Sequence, residues 1–348
     1  MRATLIGAGR IARQHLACLR ELPDVDVVAV CDVSRARAEC AAERFGIPGY
    51  YTDSRVMLSE VRPDVVHITT PPTSHFPLAM AALDAGAHVI VEKPIALNYT
   101  EAEALAYRAS EQGRVLVENH NYVFNAATQQ IRQLLVSGEF GDITHVEVFV
   151  CLNVLGVEGS YERATAHHSA FDIPGGAIAD FLTHLASIAY TFIGAHHWAR
   201  ASWARKFRSP LPYDEFRALV EGERGSATLA FSANTQPDAF WLRVYGTKMQ
   251  AVANLFERRL TVSRLYDCPK PLIAFKNALQ EAKDLRKSAY STLLHKINGS
   301  PGAYDGLWQL LTTTYRSLNA GAPPPVSITQ LLAVNRLVSD LRADGGQE

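Results

Sequence analysis

The sequence predicts a doubly wound parallel α/β sheet followed by an α+β domain with a mainly antiparallel, open sheet. Three observations carry this reading. In the first third, short β-branched runs alternate with segments of helical period. A glycine-rich turn joins the first run to the first helical segment. After residue 122 the alternation stops, and strand-like runs follow one another with glycines between them.

The runs at 4–6, 25–31, 65–69, 89–91 and 115–117 lack clean polar/apolar alternation, as expected of strands buried on both faces. Helical segments lie between them at 10–21, 35–45, 77–85 and 100–112. In the first, Ala12, Leu16 and Leu19 share a face, and Pro23 follows its end. Strands separated by helices pair in parallel through right-handed crossovers. Beyond 122, a helix over 126–137 leads into a strand over 143–150. Strands at 216–221, 227–233, 240–245 and 260–263, with turns at Gly222, Gly225 and Gly246, read as an antiparallel meander. Helices at 273–294, 302–320 and 328–342 close the chain, the last two separated by Pro323-Pro324-Pro325. The domains expected are 1–122 and 123–348, the helix at 328–342 being the element that could return to the first.

Composition narrows the function classes. The chain has 348 residues, 34 basic against 35 acidic, and 48% hydrophobic residues. This much apolar surface supports a folded core, and neutrality argues against general binding of nucleic acid. Five scattered cysteines without a C-x-x-C pair fit a reducing compartment, so a cytoplasmic location is expected. The opening MRATLIGAGR has too short an apolar segment for a signal peptide, and the longest apolar run, 175–198, is interrupted by Asp180 and His184. No membrane span is expected. His167-His168 and His196-His197 have no third ligand at a recognisable spacing, so no metal is expected either.

Gly7-Ala8-Gly9-Arg10-Ile11-Ala12 follows a predicted strand and opens a predicted helix, the G-x-G-x-x-A form of the Rossmann dinucleotide fingerprint. Gly7 permits the tight turn, Gly9 lets backbone approach a pyrophosphate, and Ala12 keeps helix close to strand. The free N–H groups of the helix start then face the phosphates. Asp32 ends the second strand 20 residues after Ala12 and can accept from ribose hydroxyls, favouring NAD. Arg35 and Arg37 keep NADP as the alternative.

Two further segments are more diagnostic. Ile68-Thr69-Thr70-Pro71-Pro72-Thr73-Ser74-His75 follows the strand at 65–69, and Glu92-Lys93-Pro94-Ile95-Ala96 follows that at 89–91. With the glycine turn, they resemble the glucose-fructose oxidoreductase / inositol dehydrogenase / MocA family. The likeness continues in Gly175-Gly176-Ala177-Ile178-Ala179-Asp180-Phe181-Leu182-Thr183-His184, which is similar to the family's G-G-G-x-x-x-D-x-x-x-H segment. The resemblance implies cofactor contacts from Gly7, Ala8, Gly9, Arg10, Ile11, Asp32, Thr70, Pro71, His75, Glu92, Lys93 and Asn121. It also implies a homodimer or homotetramer assembled through the second sheet, and a Lys93-Pro94 bond that is often cis.

Chemistry gives these residues roles. An ammonium at the end of a parallel strand, as at Lys93, can stabilise alkoxide charge beside a nicotinamide. Asp180 and His184 stand at i and i+4 on one helix face, where a carboxylate orients an imidazole that accepts a proton. Lys93, Asp180 and His184 are therefore the catalytic candidates. Tyr122, His167 and His168 join them as candidate substrate contacts. Ser187 stands where many family members carry an acid three residues after the histidine.

The function expected is NAD(P)-dependent hydride transfer at a secondary alcohol or ketone of a sugar, nucleotide sugar or cyclitol. Two alternatives stand beside it: a glycosidase using transient oxidation by tightly held NAD, and a non-catalytic NAD(P)-binding sensor. Residues 1–122 carry 12 basic and 15 acidic side chains, and residues 123–348 carry 22 and 20. Basic stretches at 196–208, with Arg200, Arg205, Lys206 and Arg208, and at 257–296 make an anionic sugar a specific expectation.

Overall fold

A computed structural model describes residues 1–154, 173, 175–207, 211–257, 259–297 and 304–345. The chain divides into two compact units, Met1–His120 with Leu307–Asn335, and Asn121–Gly306 with Arg336–Glu348. The second-domain expectation for His167 and His168 lies outside the described residues.

The first unit opens with β1 (Arg2–Ile6), α1 (Ala12–Arg20), β2 (Asp26–Cys31), α2 (Arg35–Phe45), β3 (Gly49–Tyr51) and α3 (Ser54–Val61). It continues through β4 (Val65–Ile68), α4 (His75–Asp84), β5 (His88–Val91), α5 (Tyr99–Glu111) and β6 (Leu116–Glu118). The six strands form one sheet in the order β3-β2-β1-β4-β5-β6, and every pair is parallel. The order reverses at β1 and β4, so the carboxyl ends of these strands border the crevice where such sheets take ligands. Leu5, Val30, Ala12 and Leu16 pack together in the core, the last two from one face of α1.

Two elements here were not legible as periodic segments. β3 is a three-residue edge strand, too short to show a pattern. α3 depends on its cap: the Asp53 carboxylate accepts from the N–H groups of Arg55 at 2.7 Å and Val56 at 3.3 Å.

The second unit contains α6 (Ala126–Val136), β7 (Ile143–Asn153), α7 (Gly176–Ile193) and β8 (His196–Ala204). After these come β9 (Glu215–Gly222), β10 (Gly225–Ser232), β11 (Asn234–Gly246), β12 (Met249–Asn254), β13 (Arg259–Arg264) and α8 (Lys270–Ile297). α9 (Asp305–Ala320) and α10 (Ile328–Ala343) complete the described elements; from Leu307 to Asn335 they belong to the first unit, and the rest of α10 to the second. The sheet order is β13-β12-β11-β7-β10-β9-β8. All its pairs are antiparallel except β7 with β10, so the expected meander is corrected: β7 enters the middle of the sheet beside a parallel neighbour. β8, at the edge of the sheet, and β12 also lie outside the runs read from the sequence.

α7 packs on β7, β9 and β10. By length and composition it could cross a membrane, but 78% of it is buried. Its apolar character is that of a core helix.

Candidate active site

The glycine turn illustrates how local backbone creates a site. Gly7 has φ +100°, and a Cβ there would lie 2.7 Å from the Thr70 backbone nitrogen. Any side chain would strain the turn and drive it off the β4 end. Gly9 differs: a Cβ there would meet nothing within 4 Å. The space above it is open toward the start of α1, where no side chain caps the helix. First-turn N–H groups without a side-chain cap, beside open space, fit an anionic diphosphate. Asp32 closes the turn from β2, accepting the Ala8 N–H at 2.8 Å with one oxygen and the Ser34 N–H at 2.8 Å with the other. Each carboxylate oxygen keeps a further lone pair for a ribose hydroxyl. Arg10 is exposed beside this turn and Ile11 is half-buried.

The turns after β4 and β5 are tied to each other and to this loop. Thr69 Oγ1 donates to Gly7 O at 2.6 Å; Ser74 Oγ donates to Pro71 O at 2.8 Å and lies 2.7 Å from the Thr70 hydroxyl, which can donate to it. His75 is fully buried, with Nδ1 2.7 Å from Pro94 O and Nε2 2.8 Å from Thr70 O. Its ring therefore joins the two turns. Burial pushes its pKa down, partly opposed by those carbonyls and by Glu92 and Glu118.

The Lys93-Pro94 bond is cis. Glu92 before it is buried, and its Oε1 lies 2.9 Å from His15 Nε2 and accepts from Asn119 Nδ2 at 2.6 Å. Burial raises the pKa of Glu92, but the hydrogen bond and charge of His15, the charge of Lys93 and the Asn119 bond outweigh it, leaving the carboxyl below its ordinary range. Glu118 holds the other side of the turn, accepting the Ile95 N–H at 3.0 Å and Asn335 Nδ2 at 2.7 Å, with His120 Nε2 at 3.0 Å. Sequence motifs named Glu92 and Lys93 but missed His15, Glu118, Asn119 and Asn335, which hold their turn.

In the second unit, Gly175 starts α7 with φ +91°, and a Cβ there would press on the Trp203 ring at 3.1 Å. Asp180 and His184 follow one turn apart on this helix. His184 is 5% exposed, and its ring meets the Tyr122 ring edge-on at 4.8 Å and the Phe181 ring at 5.6 Å. Tyr122 also stacks edge-on with Phe240 at 4.6 Å. Burial pushes its phenol pKa up, reinforced by Tyr304, Asp305 and Asp180. Asn121 Oδ1 beside it is buried without a hydrogen-bond partner among the described residues. α9 comes close because Gly306 has no side chain: a Cβ there would sit 2.1 Å from Asn121 O. Ser187 donates to His184 O at 3.1 Å, so at this position a hydroxyl serves the backbone.

The structure thus gathers Gly7–Ile11, Asp32, Thr70, Pro71, His75, Glu92 and Lys93 in the first unit, and Asn121, Tyr122, Asp180 and His184 in the second. Chemically, the first set can hold a diphosphate, a ribose and an ammonium; the second offers an imidazole in an aromatic surround with a carboxylate one turn away. Among the described residues, no cluster of three or more His, Cys, Asp or Glu could hold a metal.

Residues 1–120 match the model of an oxidoreductase family with an NAD-binding Rossmann fold, and residues 128–252 match the GFO/IDH/MocA C-terminal domain. A D-glucoside 3-dehydrogenase of Escherichia coli is 34% identical over 160 residues, which is 46% of this chain and 45% of that enzyme. The chain's matches span less than half the length of the first such relatives, 37% to 45%. A dTDP-3,4-didehydro-2,6-dideoxy-alpha-D-glucose 3-reductase of Streptomyces violaceoruber is 28% identical, covering 77% of this chain and 74% of that enzyme. Among solved structures, the WlbA dehydrogenase of Bordetella pertussis, in complex with NADH and UDP-GlcNAcA, superposes with a TM-score of 0.80 at 20% identity over 99% of this chain and 95% of that one. At that identity the likeness concerns the fold.

Proposed function

Because this chain belongs to the GFO/IDH/MocA oxidoreductase family, with an NAD-binding Rossmann domain, we propose that it is a dehydrogenase or reductase acting on a secondary alcohol, or the matching ketone, of a sugar, nucleotide sugar or cyclitol. The observation that carries this reading is the placement of His184 on α7, buried against Tyr122, with Asp180 one turn before it.

NAD, when bound, supplies the acceptor or donor of hydride. The open space at Gly9 and the uncapped start of α1 would take its diphosphate, flanked by Gly7, Ala8, Arg10 and Ile11, and Asp32 would take the ribose hydroxyls. An acid at that position repels a 2′-phosphate, which favours NAD over NADP. Thr70, Pro71 and His75 shape the adjoining turn. In alcohol oxidation, His184 accepts the hydroxyl proton, Asp180 steadies the imidazolium that results, and Lys93 stabilises negative charge developing on the oxygen. Asn121 offers an acceptor for an amide or hydroxyl, and Tyr122 packs the substrate side of His184. The excess of basic over acidic residues in 123–348 supports an anionic sugar as the preferred substrate.

A panel of neutral sugars, sugar acids, cyclitols and nucleotide sugars, each with NAD and with NADP and read at the reduced nicotinamide absorbance, tests the reading. Turnover of at least one member with NAD is expected, charged members exceeding neutral ones. On that substrate, His184→Ala should lower kcat by about 10²–10⁴-fold while NAD still binds. Full activity in this variant would sink the assignment.

We infer further that the protein works as a homodimer or homotetramer through the second sheet. Trp198 on β8 and Leu219 on β9 are 42% and 55% exposed, large apolar side chains that a partner would cover.

A further inference from the structure

The turn carrying Lys93 is held from inside the first unit by a chain of buried side chains that lies outside the sequence motifs. His15 on α1, His67 on β4 and Tyr315 on α9 are each no more than 2% exposed. The Tyr315 hydroxyl lies 2.8 Å from His67 Nε2, His67 Nδ1 lies 2.9 Å from His15 Nδ1, and His15 Nε2 lies 2.9 Å from Glu92 Oε1. Asn119 reaches the same Glu92 oxygen. Residues at 15, 67, 92 and 315 thus share one continuous line from α9 to the β5 turn.

The protons on this line can be assigned from the chemistry of the groups. An ionised carboxylate only accepts, so His15 Nε2 must carry a hydrogen and donate to Glu92. Two facing Nδ1 atoms share one hydrogen between them. With His15 neutral, His67 Nδ1–H donates to His15, and His67 Nε2 accepts from the Tyr315 hydroxyl. If His15 takes a second proton, the donors between His15 and Tyr315 reverse, but the His15 bond to Glu92 keeps its direction. Burial and the charge of His15 keep His67 well below its ordinary pKa, which agrees with a neutral His67 in both arrangements. The groups facing Glu92 are His15 from α1, Asn119 after β6 and Lys93 on its own turn, and Glu92 in turn acts on His75 from α4. Tyr315 feels Cys18 and Asp64.

We propose that His15, His67 and Tyr315 are positioning residues for Lys93: their chain holds Glu92 ionised and oriented, and Glu92 holds the turn from which Lys93 projects. The inference rests on the role given above to Lys93. Its physical content is that a buried carboxylate that loses one of its donors shifts toward the neutral acid. Deleting the chain leaves Asn119 as a donor to Glu92 but removes His15, so Glu92 should protonate at higher pH and the turn should loosen.

The full-length protein supplies the test without NAD or substrate. Nitrogen NMR of the histidines should show His15 Nε2 protonated; a bare Nε2 overturns the proposal. The Glu92 side-chain carboxyl, followed by carbon NMR as pH is lowered, should titrate higher in His15→Leu than in the parent. In His15→Gln, whose amide can donate to Glu92 and accept from His67, it should stay near the parent. Tyr315→Phe should move it in the same direction as His15→Leu but less. With a substrate from the panel, His15→Leu should lose about tenfold or more in kcat with KM for NAD unchanged, and His15→Gln should recover most of it. A Glu92 titration unmoved in His15→Leu, or a His15→Gln as impaired as His15→Leu, overturns the proposal. An unmoved Tyr315→Phe overturns the part assigned to Tyr315 and His67. Lys93→Met separates the two readings: if it keeps full turnover, the role of Lys93 fails, while the Glu92 titrations still decide whether the chain acts on that carboxyl.

Discussion

Gly7 and Gly9 stand two residues apart and lack side chains for opposite reasons. At Gly7 the protein itself needs the room, because Thr70 backbone would lie 2.7 Å from any Cβ and φ is +100°. At Gly9 the protein leaves the room unused, as expected where a ligand fills it. Gly7→Ala should therefore destabilise the folded chain, whereas Gly9→Ala should leave its melting temperature nearly unchanged and weaken NAD binding; calorimetry and a binding titration read the two effects separately. Asp32 carries a second expectation. Asp32→Ser removes the charge that repels a 2′-phosphate while leaving a short acceptor for the Ala8 and Ser34 N–H groups, so the ratio of NAD to NADP affinity should fall, by about tenfold if roughly 1.4 kcal/mol of repulsion is lost. Glu92 adds a pH dependence. Its folded pKa lies below its ordinary value of 4.5, so it contributes stability that is present above that pH and is lost as pH falls through the folded value. Melting of the parent should drop more steeply with acidification in this window than melting of Glu92→Gln, a comparison that differential scanning calorimetry makes directly.

Among the elements, the helices that the sequence revealed are those with an apolar stripe or a diagnostic flank. α2 was delimited at 35–45, and Gly46 ends it in the left-handed region with φ +67°. α3 is only eight residues long; it buries Met57, Leu58 and Val61 on one face, and Asp53 sets its start with two backbone bonds that satisfy donors of its first turn. Asp53→Ala should cost about 1 kcal/mol of stability, measurable by denaturant unfolding. α7 behaves differently again. Leu182, Leu185 and Ile188 are fully buried, so the helix owes its place to packing; Asp180 is its only acid and His184 its only histidine. Their i, i+4 spacing made the pair visible in advance, because helical period converts sequence distance into a shared face. The partner ring of Tyr122 was visible only as a residue after the last strand of the first sheet.

For the whole molecule, alternation of strand and helix led to the parallel first sheet, and its strand order follows from right-handed crossovers around β1. The second sheet was less legible. Successive strands suggested a meander, yet β7 pairs in parallel with β10 because the chain inserts α7, β8 and β9 before β10 returns to it. The exposed Trp198 and Leu219 place an assembly prediction at this level: sedimentation should find a dimer or tetramer, and Leu219→Glu should shift it toward smaller species. What the amino-acid order determined is what acts over a few residues: the glycine turn, Asp32 at a strand end, the turns at Thr70 and Lys93, and the Asp180–His184 face. Each depends on backbone torsion or helical period, which neighbours along the chain dictate. The tertiary structure alone decided that His15 meets Glu92, that His67 links to Tyr315 across 248 residues, and that Tyr122 lies against His184. Those contacts depend on strand register and helix packing, to which residues far apart in sequence contribute jointly, so no local pattern announces them.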